Sequence, residues 1–276
     1  MKNQLISVII PNHNYGKYLS TTIESVLKQS VGNLDLIIVD NGSTDDSREV
    51  ITSFSGELTA IYQEDLGQAS ARNTGLMHAK GELIAFLDAD DYWEPGKLEM
   101  QLEKLNEEYQ FIYTGLRQFD SDTGSTLNSI KPRFKDDCKL AYLEFPTTAI
   151  VPAGESSALM THSLVTKVGI FNEKLNSATG RDFFRRCSGF TKFGYVSSEL
   201  VNYRIHSKNM SENRKHMMLD TELAYELLYA DSRWDFASDY RRSCLTKLQW
   251  SHLKTYVKIR DYHGVINSIS KIVSLS

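Results

Sequence analysis

Three carboxylates lie within the four residues Asp88–Asp91, directly after the apolar run Leu83–Leu87. The run is typical of a strand buried on both faces, and Gly81 breaks the chain before it. Crowded carboxylates repel one another unless a cation lies between them, and hard ions such as Mg²⁺ or Mn²⁺ prefer oxygen ligands. Since open α/β sheets bind ligands at the carboxyl ends of strands, the cluster predicts a metal site. A solvated acidic loop capping a helix near Pro95 is the alternative.

Two other polar clusters follow the first two predicted strands. Pro11–Gly16 follows the first strand and includes His13 and Asn14, and Asp40–Asp45 follows the second. Each cluster alone is typical of an ordinary strand-to-helix turn. Because adjacent parallel strands bring their carboxyl ends together, we expect Asp40 and the region of His13 to line one crevice. A carboxylate there can accept a hydrogen bond from a base or ribose, and a nearby aromatic ring can stack on the base.

A glycine-bounded segment, Gly67–Gly75, supplies a cation. Gly67 allows the chain to turn into a helix, and Arg72 and Asn73 follow about one turn later. Arginine suits bidentate or stacking contacts with phosphates and bases. A solvent-exposed helical arginine is the alternative interpretation.

Strands and helices alternate over the first hundred residues. This alternation predicts a parallel sheet with helices on both faces, and after Asp91 the pattern becomes less regular. The predicted strands are 5–10, 34–39, 58–62, 83–87, 111–119, 157–160 and 200–204. The predicted helices are 18–29, 43–54, 68–79, 95–109, 137–145 and 182–188, followed by two or three helices from about residue 212.

Composition is ordinary for a globular protein: 276 residues, 41% hydrophobic and 24% charged. No apolar run approaches the roughly 18 residues that span a bilayer, and the first strand is too short for a signal-peptide core. Three scattered cysteines, Cys138, Cys187 and Cys244, make no metal-binding spacing and cannot all pair. We therefore expect a reducing, cytoplasmic setting.

Charge is unevenly distributed. Residues 233–276 carry a net charge of +5, whereas the whole chain carries −4, so the remainder carries −9. An acidic body argues against nucleic acid as the partner. The basic tail is typical of a solvated helical face, and contact with the inner face of an anionic membrane is the alternative.

The clusters together resemble the family 2 inverting glycosyltransferases, which have the GT-A fold, a Rossmann-like mixed sheet flanked by helices. Four segments carry the resemblance, in order and at comparable spacing: Pro11–Asn14, Asp40–Asp45, Gly67–Gly75 and Asp88–Asp90. The similarity continues weakly to His206. It implies a catalytic domain over 1–211, with a nucleotide-binding half (1–91) and an acceptor-side half (92–211), and a C-terminal helical extension over 212–276.

The resemblance implies a role for each matching residue. Asp40 would hydrogen-bond the donor nucleobase, Arg72 would hold the nucleotide, and Asp88 would address the ribose and a metal-bound water. Asp90 would bind Mn²⁺ or Mg²⁺ at the diphosphate. Pro11, His13 and Asn14 would line the donor site, His206 would complete the metal site, and Asp182 would be the catalytic base.

Three positions depart from the family pattern. His13 replaces the usual Tyr, Asn41 replaces a second Asp, and Arg181 replaces the Glu that precedes the base. The implied activity is transfer of a sugar, with inversion, from a nucleotide-diphospho-sugar such as a UDP-sugar to a saccharide or lipid-linked acceptor, in surface polysaccharide synthesis.

Two other functions stay open. A non-catalytic relative would bind a nucleotide-sugar or glycan without turnover, and Arg181 is the residue that favours this alternative. A sugar-phosphate nucleotidyltransferase would use a similar sheet and release pyrophosphate. That class typically has a Gly-rich, Lys/Arg-bearing loop after the first strand, which Pro11–Gly16 is not.

Overall fold

A computed structural model describes residues 4–146, 148–207, 209 and 214–275. Within these residues nine strands form one sheet in the order β3-β2-β1-β4-β8-β6-β9-β5, and β7 pairs with β6. The strands are β1 (Ile6–Asn12), β2 (Leu34–Asn41), β3 (Thr59–Gln63), β4 (Leu83–Phe86), β5 (Tyr92–Trp93), β6 (Phe111–Asp120), β7 (Thr126–Ile130), β8 (Leu159–Thr161) and β9 (Phe193–Ile205). The helices are α1 (Gly16–Leu27), α2 (Ser47–Ser53), α3 (Gln68–His78), α4 (Lys97–Leu102), α5 (Lys139–Glu144), α6 (His162–Val168), α7 (Thr179–Ser188), α8 (Arg214–Tyr229), α9 (Ser238–Lys258) and α10 (Tyr262–Leu275).

The first four strands are parallel, as their apolar runs predict. All seven residues of β1 are buried, because helices cover both faces of the sheet. Ile9 packs in a cluster with side chains of α3, whereas Val8 and Ile10 pack in a second cluster with Leu19 and Ile23 of α1. Alternation along a strand therefore sends successive apolar side chains into two different cores.

The second half of the sheet is mixed. Strand β8 runs antiparallel to both β4 and β6, and β9 runs parallel to β6. Strand β5 is a short antiparallel partner of β9. These strands carry the sheet past β4, so that the chain after β4 and the end of β9 lie close together.

Several predicted bounds are wrong. The helix predicted over 95–109 ends at Leu102, because Asn106 Oδ1 accepts hydrogen bonds from the amides of Glu108 (2.9 Å) and Tyr109 (3.0 Å) and holds a turn. Strand β1 continues through Pro11. Pairing of β1 with β4 ends at Ile9, so the missing amide hydrogen of proline costs no ladder bond on that side. Strands β5 and β7 and helix α6 were not predicted.

The C-terminal residues form three α-helices, as expected, and the first two pack on the rest of the chain. Tyr225 and Leu248 share an apolar cluster with Leu143, which lies on α5. On α8, Asp220 Oδ2 accepts hydrogen bonds from the amides of Asn176 (2.9 Å) and Ala178 (2.6 Å), just before α7 begins. The extension therefore helps to fix the start of α7. Within the described residues, no helix combines the length and apolar character needed to cross a membrane.

Candidate active site

The carboxyl ends of β1 and β2 lie side by side, as the sequence predicts. Asn12 and Asp40 are register partners, and the fully buried Asp40 carboxylate accepts hydrogen bonds from Asn12 Nδ2 (3.1 Å) and Arg48 Nε (3.3 Å). Nδ1 of His13 lies 2.7 Å from the carbonyl oxygen of Asn41. The structure thus brings Asp40 and His13 to one edge of the sheet.

Asn14 fixes the two loops at this edge to each other. Its φ of +59° lies in the left-handed region, which asparagine tolerates better than most residues. Its Oδ1 accepts from the amides of Thr44 (2.7 Å) and Asp45 (3.3 Å), and its own amide donates to Ser43 Oγ (2.9 Å). Asn14 therefore holds the loop shape, and buried Pro11 precedes this junction in β1.

The sequence did not single out Arg48 and Tyr62, which line an open cleft beside Asp40. The Arg48 guanidinium lies 5.1 Å from the centre of the Tyr62 ring, and Gly42, Ser43, Gln63 and Glu64 complete the lining. A cation stacked on an aromatic ring, next to a buried carboxylate, offers both flat and polar surfaces to a planar ligand. Neither residue lies in a segment of the family pattern.

Arg72 is the most deeply placed cation of the site, with a side chain only 1% exposed. Gly67, at a φ of +86°, starts the helix that carries it. One nitrogen donates to Asp88 Oδ1 (2.8 Å), and the other pairs with Glu155 Oε1 (2.9 Å) and donates to Thr179 Oγ1 (3.1 Å). The alternative of a solvent-exposed arginine is wrong.

Asp88 lies where β4 leaves the sheet. Burial raises the pKa of its carboxyl to about 6, and the charges of Glu155 and Asp90 add to that rise, while Arg72 opposes it. Its amide donates to Ser156 Oγ at 3.1 Å. Burial therefore disfavours the ionised form of this carboxyl, and a cation bound nearby would favour it.

Asp90 and His206 meet although they are far apart in sequence. Asp90 Oδ2 is 3.0 Å from His206 Nε2, and the imidazole ring packs 5.1 Å from the Tyr18 ring and 5.7 Å from the Tyr15 ring, centre to centre. Burial and the nearby Asp90 and Asp88 charges raise the pKa of the Tyr15 hydroxyl. The aromatic rings thus hold the imidazole against the carboxylate.

The donor set fits Mn²⁺ or Mg²⁺ held jointly with a ligand. Among the residues that the structure describes, no group of three His, Cys, Asp or Glu side chains is arranged to hold a metal by itself. Asp90 and His206 supply one oxygen and one nitrogen. Mg²⁺ in particular is commonly held by one or two carboxylates, substrate phosphates and water, so a two-residue site beside a diphosphate is adequate.

Asp91, the third carboxylate of the cluster, supports the turn rather than facing the crevice. It is buried, and it accepts hydrogen bonds from Ser156 Oγ (2.9 Å) and the Arg204 amide (3.1 Å). Burial and the charges of Asp90 and Asp88 raise its pKa. Asp91 thereby ties the end of β9, and with it His206, to the chain after β4.

Asp182 is buried in the first turns of α7, with a side chain 2% exposed. Its two oxygens accept from Arg185 Nη2 (2.7 Å) and Arg186 Nε (2.9 Å). Arg181 points elsewhere and donates to the Thr148 carbonyl (2.8 Å) and the Tyr225 hydroxyl (3.0 Å). The assignment of Asp182 as the catalytic base stays a prediction.

Glu155 and Thr179 belong to the site although sequence reasoning missed both. Glu155 lies on a short 3₁₀ turn (Gly154–Ser157), in a stretch that reads as irregular, and Thr179 starts α7. Thr179 Oγ1 donates to Glu155 Oε1 at 3.4 Å. The arrangement combines a buried guanidinium, clustered carboxylates and a histidine at one sheet edge, which suits binding of a phosphorylated ligand.

Comparison with known families agrees with this arrangement. The model of the family described as glycosyl transferase family 2 matches residues 7–165, more than half of the chain. The chain belongs to this family. The matched region includes β1 to β4 and the carboxylate cluster, and it confirms the family predicted from the four sequence segments.

Two curated relatives are informative. The putative teichuronic acid biosynthesis glycosyltransferase TuaG of Bacillus subtilis is 28% identical over 88% of this chain and 97% of its own length. The UDP-Glc:α-D-GlcNAc-diphosphoundecaprenol β-1,3-glucosyltransferase WfgD of Escherichia coli is 36% identical over 51% of this chain and 55% of its own. Other relatives are matched over 32% to 69% of their length, so this chain spans about a third to two thirds of them.

Solved structures confirm the GT-A fold. Staphylococcus aureus TarS, residues 1–349 in complex with UDP-GlcNAc, has a TM-score of 0.71 at 17% identity, covering 98% of this chain and 81% of that one. The mannosyltransferase PcManGT of Pyrobaculum calidifontis, in complex with GDP-Man and Mn²⁺, has a TM-score of 0.67 at 14% identity, covering 99% and 75%. The predicted mixed sheet with flanking helices is therefore correct.

Proposed function

We propose that this family 2 glycosyltransferase moves a sugar, with inversion, from a nucleotide-diphospho-sugar to a saccharide or lipid-linked acceptor in surface polysaccharide synthesis. The observation that carries the proposal is the joint placement of Arg72, Asp88, Asp90 and His206 at the edge of the sheet where Asp40 and His13 also lie. WfgD, whose name gives a UDP-sugar donor and a diphosphoundecaprenol-linked acceptor, supports UDP and a lipid-linked acceptor.

We assign the donor to the nucleotide-binding half, 1–91, and the acceptor to the half formed by 92–211. Asp40 binds the base with Arg48 and Tyr62 beside it, His13, Asn14 and Pro11 form the wall, and Asp88 takes the ribose. Arg72 helps to hold the nucleotide through Asp88, because its buried guanidinium pairs with Asp88 on one terminal nitrogen and with Glu155 on the other.

Charge development explains why these residues are needed together. Departure of a nucleoside diphosphate places negative charge on the β-phosphate oxygen. Asp90, with Asp88 and His206 nearby, would hold a divalent cation, and that cation would supply charge stabilisation at this oxygen. A carboxylate on the opposite side of the sugar takes the acceptor proton as the new bond forms, for a typical gain of 10²–10⁴-fold. Asp182 is the sequence-based candidate for this base, and one displacement inverts the anomeric centre.

A donor panel tests the proposal. We expect the chain, incubated with UDP-, GDP- and dTDP-sugars, a polyprenyl-diphosphate-linked acceptor and Mn²⁺, to release nucleoside diphosphate and to lose this release with EDTA. Product analysis by NMR would give the anomeric configuration. Pyrophosphate release instead would indicate a nucleotidyltransferase. Donor binding by calorimetry with no product from any donor–acceptor pair would indicate a non-catalytic relative.

We also propose that the C-terminal extension, 212–276, contacts the inner, cytoplasmic face of an anionic membrane. Four exposed apolar side chains, Tyr262, Ile266, Ile269 and Val273, recur every three or four residues along one face of α10. The exposed cations Lys258 and Arg260 precede this helix. Residues 233–276 carry a net charge of +5, and the whole extension 212–276 carries +2. An apolar face with adjacent basic residues is typical of helices that lie in a membrane interface.

Vesicle flotation tests this contact. We expect the chain to float with phosphatidylglycerol vesicles and to bind phosphatidylcholine weakly. Ile266→Asp with Ile269→Asp should reduce binding at least tenfold, because two charges would enter the apolar face. Thr126→Asp with Asn128→Asp, on the exposed strand β7, is the matched control. Equal flotation of the α10 variant and the control would contradict the proposal.

A further inference from the structure

Glu155 pairs with Arg72, and its second carboxylate oxygen has no role in the proposed function. We infer that Glu155, in place of Asp182, is the base that takes the proton from the acceptor hydroxyl, an inference that rests on the proposed glycosyl transfer. Three observations support it: the pairing of Asp182, the Glu155 oxygen that accepts no hydrogen bond from the described residues, and the glycine against which Glu155 packs.

Asp182 is poorly placed to meet a substrate. Each of its oxygens already accepts from an arginine of the same helix, Arg185 at 2.7 Å and Arg186 at 2.9 Å, and only 2% of the side chain is exposed. A general base must come within about 2.6–3.2 Å of the atom whose proton it takes. A sugar hydroxyl would have to enter the core around α7 to reach this distance, so the double ion pair is better explained as a clamp within the helix.

Among the described residues, Glu155 has one unpaired carboxylate oxygen, whereas both oxygens of Asp182 are paired. Glu155 Oε1 is held by Arg72 (2.9 Å) and Thr179 (3.4 Å), whereas Oε2 accepts no hydrogen bond within the part of the chain that the structure describes. The side chain is 10% exposed. The other side of the same Arg72 guanidinium binds Asp88 at 2.8 Å. Arg72 thus bridges Glu155 and Asp88, the first carboxylate after β4, and this pairing fixes the orientation of the Glu155 carboxylate.

The start of α7 is shaped around this carboxylate. A Cβ atom at position 180 would lie 2.5 Å from the carboxyl carbon and from Oε2 of Glu155, so glycine is required for this placement. Gly180 lies in the first turn of α7, two residues before Asp182. The first turn of α7 therefore leaves space at Gly180, and the Glu155 carboxylate, from the 3₁₀ turn before β8, fills that space.

The chemistry balances without another reactant. The acceptor hydroxyl oxygen forms a bond to the anomeric carbon while the bond from that carbon to the β-phosphate oxygen breaks. The electron pair of the breaking bond leaves with the nucleoside diphosphate, and the acceptor proton moves to Oε2 of Glu155. The proton is then released to solvent, which restores the ionised carboxylate.

The isosteric variant Glu155→Gln tests the assignment, because an amide oxygen still accepts from Arg72 but the base is gone. We expect its transfer rate to fall 10²–10⁴-fold while its Kd for UDP with Mn²⁺ stays within about threefold of wild type. Asp182→Asn should instead lower Tm and keep more transfer activity than Glu155→Gln. Glu108→Gln, which removes an exposed carboxylate paired with Lys192, is the control for activity and Tm.

Chemical rescue separates a base from a residue that only positions Arg72. Formate added to Glu155→Ala should restore part of the transfer rate, and it should restore none in Asp182→Ala. The assignment is overturned if Glu155→Gln transfers within tenfold of wild type, or if its donor affinity falls in proportion to its rate. A wild-type chain that turns over no donor would contradict the proposed function itself, whereas an active wild type with an active Glu155→Gln variant contradicts only this inference.

Discussion

Replacing Asp90 with Asn should abolish most sugar transfer and remove the dependence of nucleotide binding on the metal. Asp90 and His206 are the two proposed metal ligands that meet, at 3.0 Å, so the loss of the carboxylate leaves imidazole as the remaining contact. Metal stabilisation of a developing phosphate charge is worth several kcal/mol. At about 1.4 kcal/mol per tenfold, the rate should fall on the order of 10³-fold.

Calorimetry and steady-state rates measure the two effects separately. Wild type should bind UDP at least tenfold more tightly with Mn²⁺ than with EDTA, and Asp90→Asn should bind equally in both. Asp122→Asn, an exposed aspartate after β6, is the matched control and should behave as wild type. A metal-dependent Kd retained by Asp90→Asn would show that the ion is held elsewhere.

The parallel half of the sheet was predictable because its signals are local. Each of the first four strands is a short apolar run that ends in a polar cluster, and such runs are recognised without knowledge of the rest of the fold. The order of β1 and β2 then places Asp40 beside His13. Strand β7 was missed for the opposite reason: its sequence, TLNSI, is exposed and lacks an apolar face.

Glu155 could not have been found from spacing. It lies at the end of an irregular stretch, 83 positions after Arg72 and 25 before Gly180, and only the folded chain brings the three together. The pairing of Asp182 is likewise a matter of side-chain direction. Arg181 is its chain neighbour but reaches Tyr225, and the cations that bind Asp182 are Arg185 and Arg186. Sequence adjacency on a helix does not give contact, whereas spacings of three and four do.

Replacing Arg72 with Met should produce the largest loss of stability among the site variants. The side chain is 1% exposed and neutralises both Asp88 and Glu155, and methionine of similar length would fill the space but leave two carboxylates without a cation. Breaking a buried ion pair by removing one partner typically costs 3–5 kcal/mol. At roughly 2–4 °C of Tm per kcal/mol for a chain of this size, Tm should fall by about 10 °C.

Arg117 provides a control with matched chemistry and different burial. It pairs with Glu94 at 2.6 Å, a shorter distance than either Arg72 pair, but its side chain is 43% exposed. Because solvent screens such a pair, Arg117→Met should lose about 0–1 kcal/mol from the ion pair and about 1 kcal/mol from the hydrogen bonds to Asn202 Oδ1, so Tm should fall by a few degrees. Equal Tm losses in Arg72→Met and Arg117→Met would contradict the argument that burial, rather than distance, sets the energy of these pairs.

A double variant then separates charge from packing at Arg72. Adding Glu155→Gln to Arg72→Met removes one of the two uncompensated carboxylates, so the double variant should recover part of the lost Tm although it carries one more substitution. Residues in direct contact are expected to show such non-additivity, commonly 0.5–3 kcal/mol. Strict additivity of the two Tm changes would mean that Arg72 stabilises the fold through its packing on Phe171, 5.6 Å from the ring centre, and not by neutralising the acidic cluster. A higher Tm in the double variant than in Arg72→Met would instead show that repulsion between the Asp88 and Glu155 carboxylates destabilises the fold when Arg72 is absent.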